Sequence, residues 1–463
     1  KPTQQHPLTT AENLEMTRAL VPYHASSLDG AGEMYFTEDT YDDFFYGKGS
    51  TYPDINGSIG ILFEQPRVNG QVYNRDSGPL EFTEAIHNHV RMSLSTLKGA
   101  YEKSDEFKKY QSGFFQAMRQ RAAQANFKAW VIGDGNDPAK AMELVNLFKQ
   151  HRVEIKALDA EVSAGGKTFK PGHAWVVPVN QRQFGLAQAM LETRTRFEDN
   201  SFYDVSAWNL AMAYNLPIAQ LARMPATSSN ESASTSSKPD PDAVAWVVSW
   251  QQLNAPAVLQ DLLEVGATVR AATRRFSINN GSGDTSFSEG SLVLLTGLQD
   301  KDKTGKILDI LNQADIDVHS FNGQLTTTGP GLGTSHFKKA SPIKPLLIVG
   351  RGTRAYDAGE AWFQLDQRLG VAPVMVDMTR LRSIDLHDYT HLLMVNGRYA
   401  DIGKSLKQDI TSWVKDGGIL VTIQGAATWA ESLCFENGDC SESRNGEDPP
   451  GEIFMAMAYA DFS

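Results

Sequence analysis

One carboxylate in the first hundred residues has the setting that proton chemistry needs. Glu64 closes the run Ser58-Ile59-Gly60-Ile61-Leu62-Phe63-Glu64-Gln65, which is otherwise apolar or small. An unpaired carboxylate inside such a strand would be costly to bury. The pattern therefore places Glu64 at a strand end facing a cleft, where it can serve as a general base. An edge carboxylate held in a salt bridge fits the same pattern. Upstream, Tyr46 opens the loop Gly47-Lys48-Gly49-Ser50-Thr51-Tyr52-Pro53. Its glycines let the backbone come close to a ligand, and a tyrosine on such a loop can swing over a substrate. Gly49, Ser50 and Tyr52 join Tyr46 as candidate substrate contacts, with plain aromatic packing as the alternative for the tyrosines.

The elements that must position these residues read as an α/β chain. A length of 463 residues suggests about three domains. Residues 1–125 form the first, with a helix from Thr9 to Leu28 capped by Thr10, the Glu64 strand, and a helix from Thr83 to about Gln124. Residues 126–339 hold an internal repeat, 126–226 and 240–330, split by a Ser-rich linker from Thr227 to Pro239. Each copy runs strand, helix, strand, hairpin, strand, and the tryptophans Trp130 and Trp246 open the two copies. Such βαβ units favour a largely parallel sheet. Residues 340–463 alternate apolar strands and helices in a doubly wound pattern.

Composition narrows the function classes. Hydrophobic residues make up 41% and charged residues 21%, which is ordinary for globular chains. The net charge of −12 repels phosphate backbones, so nucleic acid is an unexpected partner. No apolar run is long enough for a membrane span. The start at Lys1 lacks a leader, and the apolar run 453–458 near the end reads as an interrupted strand, so both ends are expected to continue in something longer. Cys434 and Cys440 are the 2 cysteines, and they could close a small disulfide or stand as free thiols. Gly133-Asp134-Gly135 and Gly350-Arg351-Gly352 read as tight turns rather than phosphate loops.

The segments Thr37 to Asp42, Phe45 to Pro53 and Asn56 to Gln65 resemble zinc carboxypeptidases of the carboxypeptidase A class, in their bacterial branch. The resemblance covers residues 1–125. It implies a peptide substrate, a zinc cofactor and a periplasmic or secreted location. Glu64 would then activate water and pass its proton to the leaving amine, while Tyr46 would be the mobile tyrosine that covers substrate, with Tyr52 as its alternative. The family's zinc ligands, His-x-x-Glu and a later His, precede the glutamate strand. Here only His6 and His24 precede Glu64, and the His151-Arg152-Val153-Glu154 motif follows it, across a helix-to-strand turn. The ligands are therefore expected upstream of Lys1, and the chain alone is expected to be inactive. Residues 340–463 resemble a class I glutamine amidotransferase-like domain. Its nucleophile turn reads Gln424-Gly425-Ala426, without Cys or Ser, which implies a non-catalytic role. The contrasting expectation for the whole chain is a non-catalytic binder of peptides or cell-wall fragments.

Overall fold

The computed structural model describes residues 4–37, 42–76, 78–197, 207–228, 236–279, 281, 283–431 and 433. Cys434 and Cys440 lie outside them. Helix makes up 39% and strand 21%, an α/β class. The chain forms two compact units, Lys1–Thr235 and Ser236–Ser463, so the division falls inside the Ser-rich segment.

The first unit opens with β1 (Gln4–Gln5), α1 (Ala11–Asp29), β2 (Asp42–Asp43), α2 (Thr51–Asp54) and the hairpin β3 (Val72–Arg75) and β4 (Gly78–Glu81). Next come α3 (Phe82–Glu102) and α4 (Ser104–Gln124). The single helix expected from Thr83 to Gln124 is thus two, broken at Lys103. Thr10 does precede α1, but its side chain makes no capping bond. On α3 the buried positions are Ala85, Met92, Ser95 and Gly99, one stripe at helical spacing. Gly99 lets α1 pack close, since a Cβ there would sit 2.7 Å from Leu20 Cδ2.

A sheet follows, from β5 (Ala129–Gly133), α5 (Pro138–Gln150), β6 (Lys156–Leu158), β7 (Val162–Ala164), β8 (Lys167–Phe169) and β9 (Ala174–Pro178). It is completed by α6 (Phe184–Leu191), α7 (Leu210–Ala213), β10 (Ile218–Leu221) and β11 (Thr227–Ser228). Its strand order is β10-β5-β9-β6-β11. Alternate residues enter two cores, as period-two strands require. Trp130, Ile132, Trp175 and Val177 meet Leu144, Val145 and Phe148 of α5. Ala129, Val131, Ala174 and Val176 meet Leu158 and Phe169 on the other face.

The second unit repeats this plan with β12 (Ala245–Val248), α8 (Ala255–Glu264), β13 (Arg270–Ala272), β14 (Phe276–Asn279), β15 (Asp284–Phe287) and β16 (Leu292–Leu295). Then come α9 (Lys301–Gln313), β17 (Val318–Phe321), β18 (Thr326–Thr328) and β19 (Phe337–Lys339). The order β17-β12-β16-β13-β19 matches the first sheet strand for strand, and Trp246 faces the helix-side core as Trp130 does. Every pairing in both sheets is antiparallel, which corrects the expected parallel layer. The crossover β5–α5–β6 does leave its two strands pointing the same way. The strand after the hairpin, β9, then inserts between them and runs opposite to both.

The rest of this unit is β20 (Pro345–Val349), α10 (Ala355–Phe363), β21 (Val374–Asp377), β22 (His391–Met394), α11 (Lys404–Lys415), β23 (Ile419–Thr422) and α12 (Gly425–Ala430). These strands are all parallel, in the order β21-β20-β22-β23. The order reverses between β20 and β22, the place where open α/β sheets form a crevice.

Candidate functional site

The expected site is a turn joined to an extended segment. Residues 45–54 fold tightly, with Lys48 N donating to Phe45 O at 3.0 Å and Tyr52 N donating to Lys48 O at 3.0 Å. The following segment, 59–68, is not the strand that its apolar pattern predicts. It pairs with no strand among the described residues, and a lone extended chain has no ladder to complete. It still shows strand-like alternation, with Leu62 and Glu64 exposed and Ile61, Phe63 and Gln65 half-buried. Phe63 packs edge-on to His24 of α1, 4.9 Å between centroids, and Gln65 Nε2 donates to Ala85 O of α3 at 2.7 Å. Glu64 therefore projects into solvent between two anchored neighbours, not into a cleft.

The tyrosines are placed differently from the expectation. Tyr46 is 5% exposed and its hydroxyl donates to the Trp208 carbonyl. Burial pushes its phenol well above the ordinary range. It is a core residue, which corrects its reading as a mobile cover. The Tyr52 hydroxyl lies 2.6 Å from His151 Nδ1, so the His-x-x-Glu motif is tied to the turn by its histidine. Gly49 is exposed with open space where a Cβ would stand. Ser50 Oγ donates to Asp43 Oδ1 at 2.8 Å. Neither of two surface grooves, one of them about 530 Å³ between Tyr23 of α1 and Leu94 of α3, is lined by Glu64, Tyr46, Gly49, Ser50 or Tyr52.

What holds the turn to the segment is a buried polar cluster that the sequence reading passed over. Asp43 is 1% and Asp54 3% exposed. Asp43 Oδ1 accepts from Ser50 Oγ and, at 2.7 Å, from Thr51 Oγ1. Asp54 Oδ1 accepts from Gly60 N at 2.8 Å and from Asn13 Nδ2 at 3.0 Å. The same Asn13 nitrogen lies 3.1 Å from Ser58 O and 3.1 Å from the Tyr110 hydroxyl. Burial, together with the neighbouring Asp43, pushes the Asp54 carboxyl up to about 7, against the opposing pull of its Gly60 and Asn13 donors. The sequence Asp43-Phe44-Phe45-Tyr46 carries the available signal, since a charged residue beside packed aromatics must find partners.

His24, one of the two histidines that precede Glu64, is buried, with Nδ1 2.8 Å from Ser95 Oγ. Burial lowers its pKa, which keeps the ring neutral. Among the described residues, no group of three or more His, Cys, Asp or Glu is placed to hold a metal ion. These residues do not fit a zinc site, and no chemical step is routed through one here.

In the second unit, the turn after β23 has a nucleophile-elbow shape. Gln424 takes φ +51° and ψ −118°, a conformation that costs a non-glycine residue of order 1–3 kcal/mol. Gly425 N donates to Asn396 Oδ1 at 3.2 Å. The strained position holds a carboxamide, which is no nucleophile. No helix is long and apolar enough to cross a membrane among the described residues. No family model matches the chain, and neither does any curated protein or solved structure.

Proposed function

We propose that this chain contributes Glu64, as general acid and base, to a zinc metallocarboxypeptidase that removes C-terminal residues from peptides, with Gly49, Ser50 and Tyr52 near the substrate path. The observation that carries the reading is Glu64 itself. Its carboxylate is free of a described ion pair and exposed, while Phe63 and Gln65 fix the backbone on either side. A base must reach a substrate and yet be held in place, and this arrangement meets both needs. In the reaction Glu64 would take a proton from the attacking water and return it to the leaving amine nitrogen. The residue pattern from Tyr46 to Gln65 supports the same reading. The zinc donors belong to no described group, so the chain by itself is proposed to be inactive. A periplasmic or secreted location goes with the reading. Residues 340–463 are proposed to be an amidotransferase-like domain without catalysis, because Gln424 occupies the elbow.

A second reading, a non-catalytic binder of peptides or cell-wall fragments, is favoured by the lack of a metal donor set among the described residues. The deciding experiment incubates the zinc-loaded protein, as encoded, with a mixed peptide panel and compares it with Glu64→Gln. Loss of C-terminal trimming in the variant supports the peptidase. No trimming by either protein, with peptide binding retained, supports the binder.

A further inference from the structure

Helix α3 has two apolar faces, and its own unit covers one of them. The inward stripe is Ala85, Met92, Ser95 and Gly99, small residues apart from the methionine. The large apolar residues of the same helix, Phe82, Ile86, Val90, Leu94, Leu97 and Tyr101, stand outward and are between 47% and 83% exposed. At about 100° per residue these six fall within an arc of about 120°, opposite the buried stripe. Thr83, Ser93 and Ala100 complete the arc, so it holds no charged residue. Ser93 Oγ already donates to His89 O at 2.9 Å, which spends its hydroxyl proton within the helix. A helix that is apolar on opposite sides has the pattern of a buried one. Scattered apolar side chains on a surface are ordinary, but a continuous row along one helix marks a surface that a partner covers.

The spacing of the row identifies the partner. Laid antiparallel against a copy of itself, the row maps onto itself to within one residue. Phe82 then stands opposite Tyr101, Ile86 opposite Leu97, and Val90 opposite Leu94 of the second copy. The aromatics meet at the two ends, where the Tyr101 hydroxyl keeps its contact with water. The area is sufficient. When wholly covered, the six residues supply roughly 650 Å² per copy and roughly 1,300 Å² for two, within the range of about 1,200–2,000 Å² that specific interfaces bury. The charges lie on the flanks, and a two-fold axis sets like flanks side by side. Exposed Lys98 thereby comes near Glu84 of the second copy, and this pair forms twice. Arg91 approaches its own counterpart on the same flank, with its charge already met by Glu84 at 2.8 Å.

We infer that the outer face of α3 is a dimer surface, and that it takes the α3 of a second copy of this chain in an antiparallel, two-fold arrangement. Such an interface is isologous: one patch serves both partners, which a row that reads alike in both directions provides. The inference is independent of the Glu64 reading, because its test needs no substrate.

The test is sedimentation equilibrium of the whole chain from about 0.5 to about 50 µM, a span that brackets a micromolar Kd. The wild-type protein should reach twice the mass of one chain by the upper end. Leu94→Glu combined with Leu97→Glu places four carboxylates in each dimer interface and should weaken association by at least about 100-fold. Both side chains are exposed in the single chain, so the double variant should fold, which circular dichroism checks. Disulfide mapping reads the register without that variant. In an oxidised mixture of Ile86→Cys and Leu97→Cys proteins, digestion should release peptides that join position 86 of one variant to position 97 of the other. A wild-type protein that stays monomeric at every concentration overturns the inference and leaves the face to an unlike partner. A dimer that survives the double substitution overturns it by placing the contact elsewhere. Bridges that join 86 to 86 and 97 to 97 overturn it by making the pairing parallel.

Discussion

Tyr46→Phe removes one hydroxyl and leaves the ring, and its effect separates a structural tyrosine from a substrate-covering one. The side chain is 5% exposed, its ring packs on Phe45 at 5.1 Å between centroids, and its hydroxyl donates to the Trp208 carbonyl. The variant loses one neutral hydrogen bond and leaves that part-buried carbonyl short of a donor, together about 1–3 kcal/mol. The expected result is exchange of amides 207–216 that is faster by about 5- to 150-fold, since each 1.4 kcal/mol is a factor of ten. Local exchange is the right assay because a chain with several units does not melt as one two-state transition. Tyr46→Ala would remove the aromatic body as well and cost about 3–5 kcal/mol. The reasoning is refuted if Tyr46→Phe leaves exchange at 207–216 unchanged while altering peptide binding or turnover, for then the hydroxyl works on substrate.

Two further outcomes follow from backbone geometry. At Gly60 an added Cβ would come within 1.8 Å of the Ser50 carbonyl oxygen, so Gly60→Ala should force the segment off the turn at a cost of about 3 kcal/mol or more. Wild-type protection of residues 61–65 in that variant would disprove the contact. Gln424→Gly should relieve the φ +51° strain and, after the added chain entropy of glycine, stabilise the β23–α12 turn by up to about 1 kcal/mol. Exchange at residues 418–430 reads this, and faster exchange in the variant would count against strain.

Much of the layering was legible because burial leaves a periodic trace. The tryptophans Trp130 and Trp246 marked two copies of one plan, and both occupy the helix-side core. What the apolar runs could not report was strand direction. A fully buried strand looks alike whether its neighbours run with it or against it, and the position of β9 between β5 and β6 is a long-range choice. The same limit explains the Glu64 segment. Its residues alternate as a strand would, but a strand also needs a partner, and it pairs with none among the described residues. Tyr46 shows a further limit. Composition marks an aromatic on a Gly-rich turn, while only the fold tells whether Trp208, distant in sequence, covers it.

The two most displaced ionisable groups near the turn pull stability in opposite directions. His6 is 2% exposed, stacks on Phe44 at 5.1 Å, and accepts the Leu8 amide on Nδ1 at 3.2 Å, so its proton sits on Nε2 and the ring is neutral. The 4.0 Å approach of Nε2 to Glu192 is thus a weak polar contact rather than an ion pair. Burial first, then Arg194 and Arg121, pushes its pKa down to about 3. The unfolded chain binds that proton near pH 6.5, so the stability from neutral His6 is complete above about 6.5 and is lost as pH falls toward 3. Asp54 does the reverse: its contribution is complete below about pH 4 and is lost as pH rises to about 7. Between about pH 4 and 6.5 each slope is about 1.4 kcal/mol per pH unit and the signs oppose. Melting of the whole unit reports their sum together with His24, whose pKa burial also lowers. The His6 ring meets Leu8, Phe44 and Glu192, whereas Asp54 bonds Gly60 directly. Exchange at residues 60–65 therefore reads the Asp54 carboxyl apart from His6, and exchange there that is equal at pH 5 and pH 7 would refute its upward shift.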